Sequence, residues 1–311
     1  MNSKIAVVIN PNSGAWKYFP ESLMQGGHER LIRKWFSNID QADLCIRETR
    51  GPGDGAEQAR IAYSEEYKTI VAAGGDGTIR EVIDGIYCLK GARLGILPVG
   101  TANVLARSLH ITVRNNYDAA RVVMYGHETC VDLGLCNGRA FALHAGIGLD
   151  GAVVRATSPR LKRRIGKVAY VINSLRLAAR MRPATIRVRF DDAGARESST
   201  VHYEAYQVLV ANTSEYGGNM RIGDHVSPTD GLLDVVICTR RINTMYSALI
   251  DGLALASNRL TFQRGVEYRQ ARTVFVESSR RLDVQLDGDT SGVTPADISI
   301  LPRALTVIVP K

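Results

Sequence analysis

Three glycines surround one aspartate in Ala72-Ala73-Gly74-Gly75-Asp76-Gly77-Thr78, after an apolar run and before a helical pattern containing Glu81, Val82 and Ile83. Glycines let backbone N–H groups approach a polyphosphate unobstructed, and a helix start adds partial positive charge. The expectation is a phosphate cradle. Asp76 would repel a bare phosphate, so its presence makes sense if Mg²⁺ lies between them, directly or through water. The plainer alternative is a glycine-rich strand-to-helix turn with an Asp cap. A second turn follows another apolar run: Leu94-Gly95-Ile96-Leu97-Pro98-Val99-Gly100-Thr101-Ala102-Asn103. Parallel neighbouring strands deliver both turns to one sheet edge, where the Gly100 N–H, Thr101 hydroxyl and Asn103 amide could complete the phosphate site. Helix capping by Thr101 or Asn103 is compatible with that role.

The elements that must position these turns alternate in the first part of the chain. Strands are predicted over 4–9, 42–48, 69–73 and 94–97, and helices over 27–36, 54–66, 79–87 and 103–108. This pattern describes an open α/β domain whose strand ends face glycine-rich turns. Beyond about residue 133 the texture becomes strand-rich, with predicted strands over 141–145, 185–190, 203–211, 232–238, 274–277 and 282–286. Helices are expected over 160–181 and 243–256. The fold class is therefore α/β plus β: an N-terminal domain over 1–133, with the tail 303–311 a candidate to rejoin it, and a mainly antiparallel domain over 134–302. Without a long polar linker, the domains are expected to share a tight cleft.

Composition narrows the function. The chain has 311 residues, 45% of them hydrophobic, enough for a buried core and against wholesale disorder. No run approaches the roughly 18 apolar residues of a membrane span, and Met1-Asn2-Ser3-Lys4 leads into a strand without a signal-peptide pattern. Five cysteines without a C-x-x-C pair suggest neither a disulfide framework nor a zinc knuckle, so a reducing cytoplasm is expected. A formal charge of +8 suits an anionic partner.

The two turns, with Asn10-Pro11-Asn12-Ser13-Gly14 ahead of them, resemble the catalytic domain of the diacylglycerol kinase and sphingosine kinase family, in particular the bacterial soluble lipid kinases of the YegS type. Later signatures follow in the family's order: Val131-Asp132-Leu133-Gly134, Ala145-Gly146-Ile147-Gly148-Leu149-Asp150, Asp230-Gly231-Leu232-Leu233-Asp234 and Leu286-Asp287-Gly288-Asp289. The resemblance implies a nucleotide-binding α/β domain, a β-sandwich-like domain and an ATP site in the cleft. It places Asn10, Thr49, the loop Gly74, Gly75, Asp76, Gly77, Thr78, Ile79 and Arg80, and Thr101 around ATP, with Asp287 as general base. It also implies a structural Mg²⁺ held by Asp230 and the carbonyls of Ser227 and Leu232, while Asp76 with Asp132 would hold the catalytic Mg²⁺ or its waters. From local pattern alone, Asp287-Gly288 is a plain hairpin turn.

Two departures stand out. Val104 follows Asn103 where the family usually has Asp, which removes one carboxylate from the acidic cluster, and Asp289 replaces the usual Glu with a carboxylate one methylene shorter. Gly151 also stands where Ala is usual, beside a segment, 146–151, that the resemblance places at the acceptor pocket. The expected activity is transfer of a phosphoryl group from ATP to the hydroxyl of a diacylglycerol-like lipid, with Mg²⁺. The alternatives are another lipid alcohol (a sphingoid base or phosphatidylglycerol), a soluble acceptor as in NAD kinase, or a nucleotide- or lipid-binding protein with little catalysis.

The segment 160–182 carries Arg160, Lys162, Arg163, Arg164, Lys167, Arg176, Arg180 and Arg182 and no acid. Ile165, Val168, Ala169, Ile172, Leu175 and Ala179 recur at spacings of three and four, so a basic amphipathic helix could rest transiently on anionic headgroups at the inner membrane face, or simply pack on the second domain. Nucleic acid is not expected as a partner, because the basic cluster lacks interleaved aromatics. Homodimer formation is left open.

Overall fold

The computed structural model describes residues 3–14, 16, 19, 27–37, 42–87, 89–111, 115–157, 167–191, 199–216, 220–239 and 265–311. The chain divides into two compact units, one of Met1–Val131 with Arg303–Lys311 and one of Asp132–Pro302.

In the first unit, strands and helices alternate as β1 (Ser3–Ile9), α1 (Gly27–Trp35), β2 (Ala42–Glu48), α2 (Asp54–Ser64), β3 (Thr69–Gly74), α3 (Asp76–Ile86), β4 (Arg93–Pro98), α4 (Val104–Ser108) and α5 (Asn116–Tyr125). The strands pair in parallel in the order β2-β1-β3-β4. Every residue of β3 is buried, as is all of β4 after Arg93, because helices cover both faces. Ile70, Val71, Leu94, Ile96 and Leu97 fill that core, each contributing about 1.5–3 kcal/mol by leaving water. Backbone bonds continue the ladder past the strand ends: Thr49 N–H to Ile9 O at 2.8 Å, Asn10 N–H to Ala73 O at 3.2 Å and Val99 N–H to Gly74 O at 3.1 Å. One sheet edge therefore carries the loops starting at Asn10, Thr49, Gly75 and Val99. The helix predicted from Ile79 starts three residues earlier, at Asp76, because Gly75 is its extended N-cap.

The second unit comprises the end of β5 (His127–Cys136), then β6 (Arg139–Phe141), β7 (His144–Gly148), α6 (Leu149–Ala156), α7 (Lys167–Arg180), β8 (Ala184–Asp191), β9 (Ser199–Ala205) and β10 (Gln207–Ala211). It continues with β11 (Glu215–Tyr216), β12 (Met220–Arg221), β13 (Leu233–Cys238), β14 (Val266–Ala271), β15 (Thr273–Ser278), β16 (Asp283–Leu286), β17 (Asp289–Val293) and the start of β18 (Ala296–Val309). β14-β13-β10-β7-β16-β17 form an antiparallel sheet, and β18, β15, β8 and β9 pair antiparallel in a second. Ile147, Val208, Val235 and Val284 of the first meet Ile186, Val188, Phe190, Val274 and Ile298 of the second in one core, a β-sandwich. The strict alternation of buried and exposed residues along β8 is the sequence signal of that packing. α6 and α7 cover the other face of the six-stranded sheet through Leu149, Val153 and Ala178.

The structure revises three expectations. The strand predicted over 141–145 is two strands, because the N–H groups of Ala142 and Leu143 turn aside to the Asp287 carboxylate. The strand predicted over 203–211 breaks at Tyr206, whose N–H bonds Cys238 O, and its halves enter different sheets. The apolar stripe of the basic segment does not run through Ala179, which is exposed; Ala178 is buried instead. Residues 158–166 and the helix predicted over 243–256 lie outside the described residues, as do the side chains of Val168, Ala169, Ile172 and Leu175.

Candidate active site

The first unit's sheet edge gathers most of the predicted nucleotide residues. β3 ends at Gly74, and Ile79 N–H closes the first turn of α3 on Gly75 O at 3.0 Å, leaving the helix start pointing its first N–H groups outward. The second turn lies directly against the first: a Cβ on Gly100 would sit 2.2 Å from Gly75 Cα, so only glycine permits the approach. The loop after β1 closes over both. Asn10 Nδ2 donates to Thr78 Oγ1 at 3.2 Å, and Ser13 Oγ donates to Val99 O at 2.8 Å. Thr101 is exposed beside Gly14, and Thr49 is buried at the neighbouring strand end.

Several side chains serve the turns themselves. Asn103 has a left-handed backbone (φ 49°), accepts the Gly100 N–H on Oδ1 at 3.0 Å, and donates Nδ2 to Pro98 O and Gly100 O. In the structure the Gly100 N–H and the Asn103 amide, both expected at the phosphate site, satisfy each other, and Asn103 braces the turn. Asp76 Oδ1 accepts the N–H groups of Val104 (2.6 Å) and Leu105 (3.4 Å), so its carboxylate caps α4. Ile79 is buried and can offer a ligand only its backbone. Arg80 pairs with Asp84 at 2.9 Å along α3. Glu81, not singled out by chemistry in the sequence, accepts Gly53 and Gly55 N–H at 2.8 and 3.0 Å and fixes the start of α2 to α3. Only its position one helical turn after the glycine run hinted at this.

In the second unit, Asp287 (φ 50°) and Gly288 (φ 88°) form the tight turn between β16 and β17. The Asp287 carboxylate accepts Ala142 N–H on Oδ2 at 2.7 Å, and Leu143 and His144 N–H on Oδ1 at 2.9 and 3.0 Å. Burial pushes its carboxyl above the ordinary carboxylate range, against the opposing pull of His144 and the three N–H donors. Gln285 supports the turn by accepting Gly288 N–H at 2.7 Å while donating to Asp150 Oδ2 at 2.7 Å, which occupies one oxygen of the residue ending the glycine-rich 146–150 signature.

Asp132 is buried and accepts Gly231 N–H on Oδ2 at 2.7 Å; Asp230 accepts Leu232 N–H at 2.9 Å in the same loop, where Ser227 and Thr229 share a hydroxyl contact at 3.0 Å. Burial and the negative charge of Asp132 both raise the Asp230 carboxyl. Two crowded carboxylates of this kind suit a hard cation beside them, though no group of three or more His, Cys, Asp or Glu able to hold a metal occurs among the described residues. Thiol chemistry is poorly served here: burial pushes Cys136 up to about 11 and Cys238 up to about 12.

The diacylglycerol kinase catalytic domain family matches residues 4–136. The YegS C-terminal NAD kinase beta sandwich-like domain family matches residues 144–309, more than half of the chain. A diacylglycerol kinase of Bacillus subtilis (strain 168) is 29% identical over 306 residues, which span 98% of this chain and 96% of that protein. One of Staphylococcus aureus (strain MRSA252) is 28% identical over 316 residues, spanning 100% of this chain and 94% of that protein. The crystal structure of a diacylglycerol kinase from Bacillus anthracis str. Sterne has the same fold, with a TM-score of 0.70 at 21% identity over 99% of this chain and 97% of that one. Fold and matches together define an enzyme of the lipid kinase class. Within it, the chain belongs to the YegS-type diacylglycerol kinase family.

Proposed function

We propose that the protein is an ATP- and Mg²⁺-dependent kinase that phosphorylates the hydroxyl of a diacylglycerol-class lipid. The observation that carries this reading is the abutment of the two glycine turns, Gly75 against Gly100, with Asn10 and Thr78 joined beside them. Such a surface offers backbone N–H groups and small hydroxyls, the donors a triphosphate requires.

In the proposed step the lipid oxygen attacks the γ-phosphorus in line, the bond from γ-phosphorus to the β,γ-bridging oxygen breaks, and ADP leaves. Asp287 takes the hydroxyl proton. A carboxylate has about four acceptor positions, and backbone donors use three of them, two on Oδ1 and one on Oδ2. Oδ2 keeps a free lone pair, and a carboxyl raised by burial is a stronger base than an ordinary aspartate. The N–H groups at the start of α3, with Thr78 and Thr101, hold and orient the phosphates. Asp76 is the residue of the first unit that would face a bound Mg²⁺, whose charge would offset that of the phosphates; Asp230, with the Ser227 and Leu232 carbonyls, would hold a structural ion, and Asp132, on β5, meets that loop by accepting Gly231 N–H. Peripheral contact with anionic membranes would use the basic side of α7, where Arg176 and Arg180 are exposed.

Transfer of label from γ-labelled ATP across a panel of diacylglycerol, sphingoid base and phosphatidylglycerol, with and without Mg²⁺, tests the reading. Labelled phosphatidic acid made by the native protein and lost in Asp287→Ala is the expected result. Transfer undiminished in the variant would exclude Asp287 as the base, and nucleotide binding without transfer to any lipid would reduce the protein to a binding module.

A further inference from the structure

We propose that the second unit carries a separate binding site for a phosphate ester, on the outer face of the sheet formed by β9, β8 and β15. Strand register sets Glu277 opposite Arg187 and Arg187 opposite His202, so the three form one row across three strands. Their neighbours Ile186 and Val188 point into the sandwich core, which turns the row outward. The next row, Phe275, Arg189 and Thr200, continues the same face with a second guanidinium lying 4.8 Å over the Phe275 ring.

Beside the first row, the turn after β15 borders an open cleft of about 400 Å³ lined by Arg187, His202, Glu277, Ser279, Arg281 and Thr294 among others. Some of these groups are already committed. Glu277 is ion-paired with Arg187, so its charge is matched. Thr294 Oγ1 contacts Ser278 Oγ at 2.8 Å and accepts Leu282 N–H at 3.1 Å. Arg280 turns away and donates to Arg182 O. The Arg281 guanidinium, the His202 imidazole and the Ser279 hydroxyl remain, making no hydrogen bond or ion pair among the described residues while lining the cleft.

That residue set selects its ligand. A guanidinium offers paired N–H donors matched to two oxygens of a tetrahedral oxyanion, and the imidazole and hydroxyl add donors from the sides. With Glu277 neutralised by Arg187, the uncancelled charge is positive, which favours phosphate over a neutral polar group. The volume falls within the roughly 300–1,000 Å³ usual for small-molecule sites, so the ligand carries an organic part as well as the anion. A glycerophosphate fits this description, whether free in solution or presented as a phospholipid headgroup.

The experiment titrates the full-length protein with glycerol 3-phosphate by calorimetry and co-sediments it with phosphatidylcholine vesicles with and without phosphatidic acid. Arg281→Gln, His202→Gln and Ser279→Asp are compared with the native chain, and thermal unfolding and ATP affinity serve as controls that all three should leave unchanged. The component counted is the one lost in Arg281→Gln. At least a tenfold loss is expected there, several-fold in His202→Gln, and abolition in Ser279→Asp, which puts a carboxylate into the cleft while retaining the fold. Saturable binding of glycerol 3-phosphate assigns the site to soluble esters, and binding only to phosphatidic acid vesicles assigns it to a headgroup. Absence of binding to both probes, or binding equal in the native chain, Arg281→Gln and Ser279→Asp, overturns the proposal.

Discussion

Asp287 and Asp76 both accept backbone N–H groups, yet their substitutions should separate cleanly. Asp287→Asn keeps one acceptor but turns an amide NH₂ toward the donors of Ala142 to His144 and removes the proposed base. Its turnover should fall roughly 10²- to 10⁴-fold, the usual worth of a general base, with ATP affinity little changed; steady-state kinetics with the two substrates varied in turn would show it. Because the native carboxyl is raised above its ordinary value of 3.8, the acid limb of the native pH–rate profile should lie above that value and vanish in the variant. The same shift sets a stability cost, since the folded chain holds that proton more tightly than the unfolded one. The cost is complete above the folded pKa and is relieved as pH falls through it. For Asp76, Asn retains an oxygen to cap Val104 N–H whereas Ala does not. Asp76→Ala should therefore lose about 1 kcal/mol of stability that Asp76→Asn keeps, while both should lose Mg²⁺-dependent turnover. Equal thermal stability of the two variants would deny the cap.

At the level of elements, the crossing of two turns decides whether a cradle exists. Gly100→Ala must force the backbone of Gly75 aside, at a cost of roughly 1–3 kcal/mol or more. Nucleotide affinity should drop more than the change in stability alone explains, because the displaced atoms belong to the proposed cradle; fluorescent-nucleotide titration beside thermal melts would separate the effects. Much of this arrangement was legible in the chain. The apolar runs at 69–73 and 94–97 are buried parallel strands, and helices with glycine turns follow them, because a doubly covered sheet leaves few other readings of such runs. The division of labour inside the turns was not legible. Nothing in Gly100-Thr101-Ala102-Asn103 says that the amide folds back on its own loop, since that depends on the left-handed backbone of Asn103. The breaks at Ala142 and Tyr206 were hidden for a related reason: local hydrophobicity runs through them, and the interruption comes from distant partners, Asp287, 145 residues beyond Ala142, and Cys238 for Tyr206. β5, β14, β17 and β18 went unread as strands because charged and small residues dilute their alternation.

For the molecule as a whole, the notable fact is that the last nine residues complete the first unit. Thr306 and Val307 pair in parallel with Arg93 and Leu94, and Leu305, Val307, Ile308 and Val309 are buried. Removing 303–311 deletes these four buried apolar side chains, worth about 1.5–3 kcal/mol each, a large part of the roughly 5–15 kcal/mol typical of a folded domain. The shortened chain should be insoluble, or should melt far below the native one in circular dichroism. Its second unit, whose core lies within 132–302, should retain β-sheet signal. A melt unchanged by the deletion would mean that the tail is ornamental.

Synthesis on the ribosome gives this tail a further meaning. The nascent chain emits β1 to β4 early but must then elongate through residues 132–302 before the missing neighbour of β4 emerges. At about 5–20 residues per second, that wait lasts roughly ten to thirty seconds. Throughout it the parallel sheet has a bare flank at Leu94, the kind of unpaired edge that recruits other chains. The first unit is thus begun before the second and finished after it, and its yield in the cell depends on what shields that flank until β18 emerges.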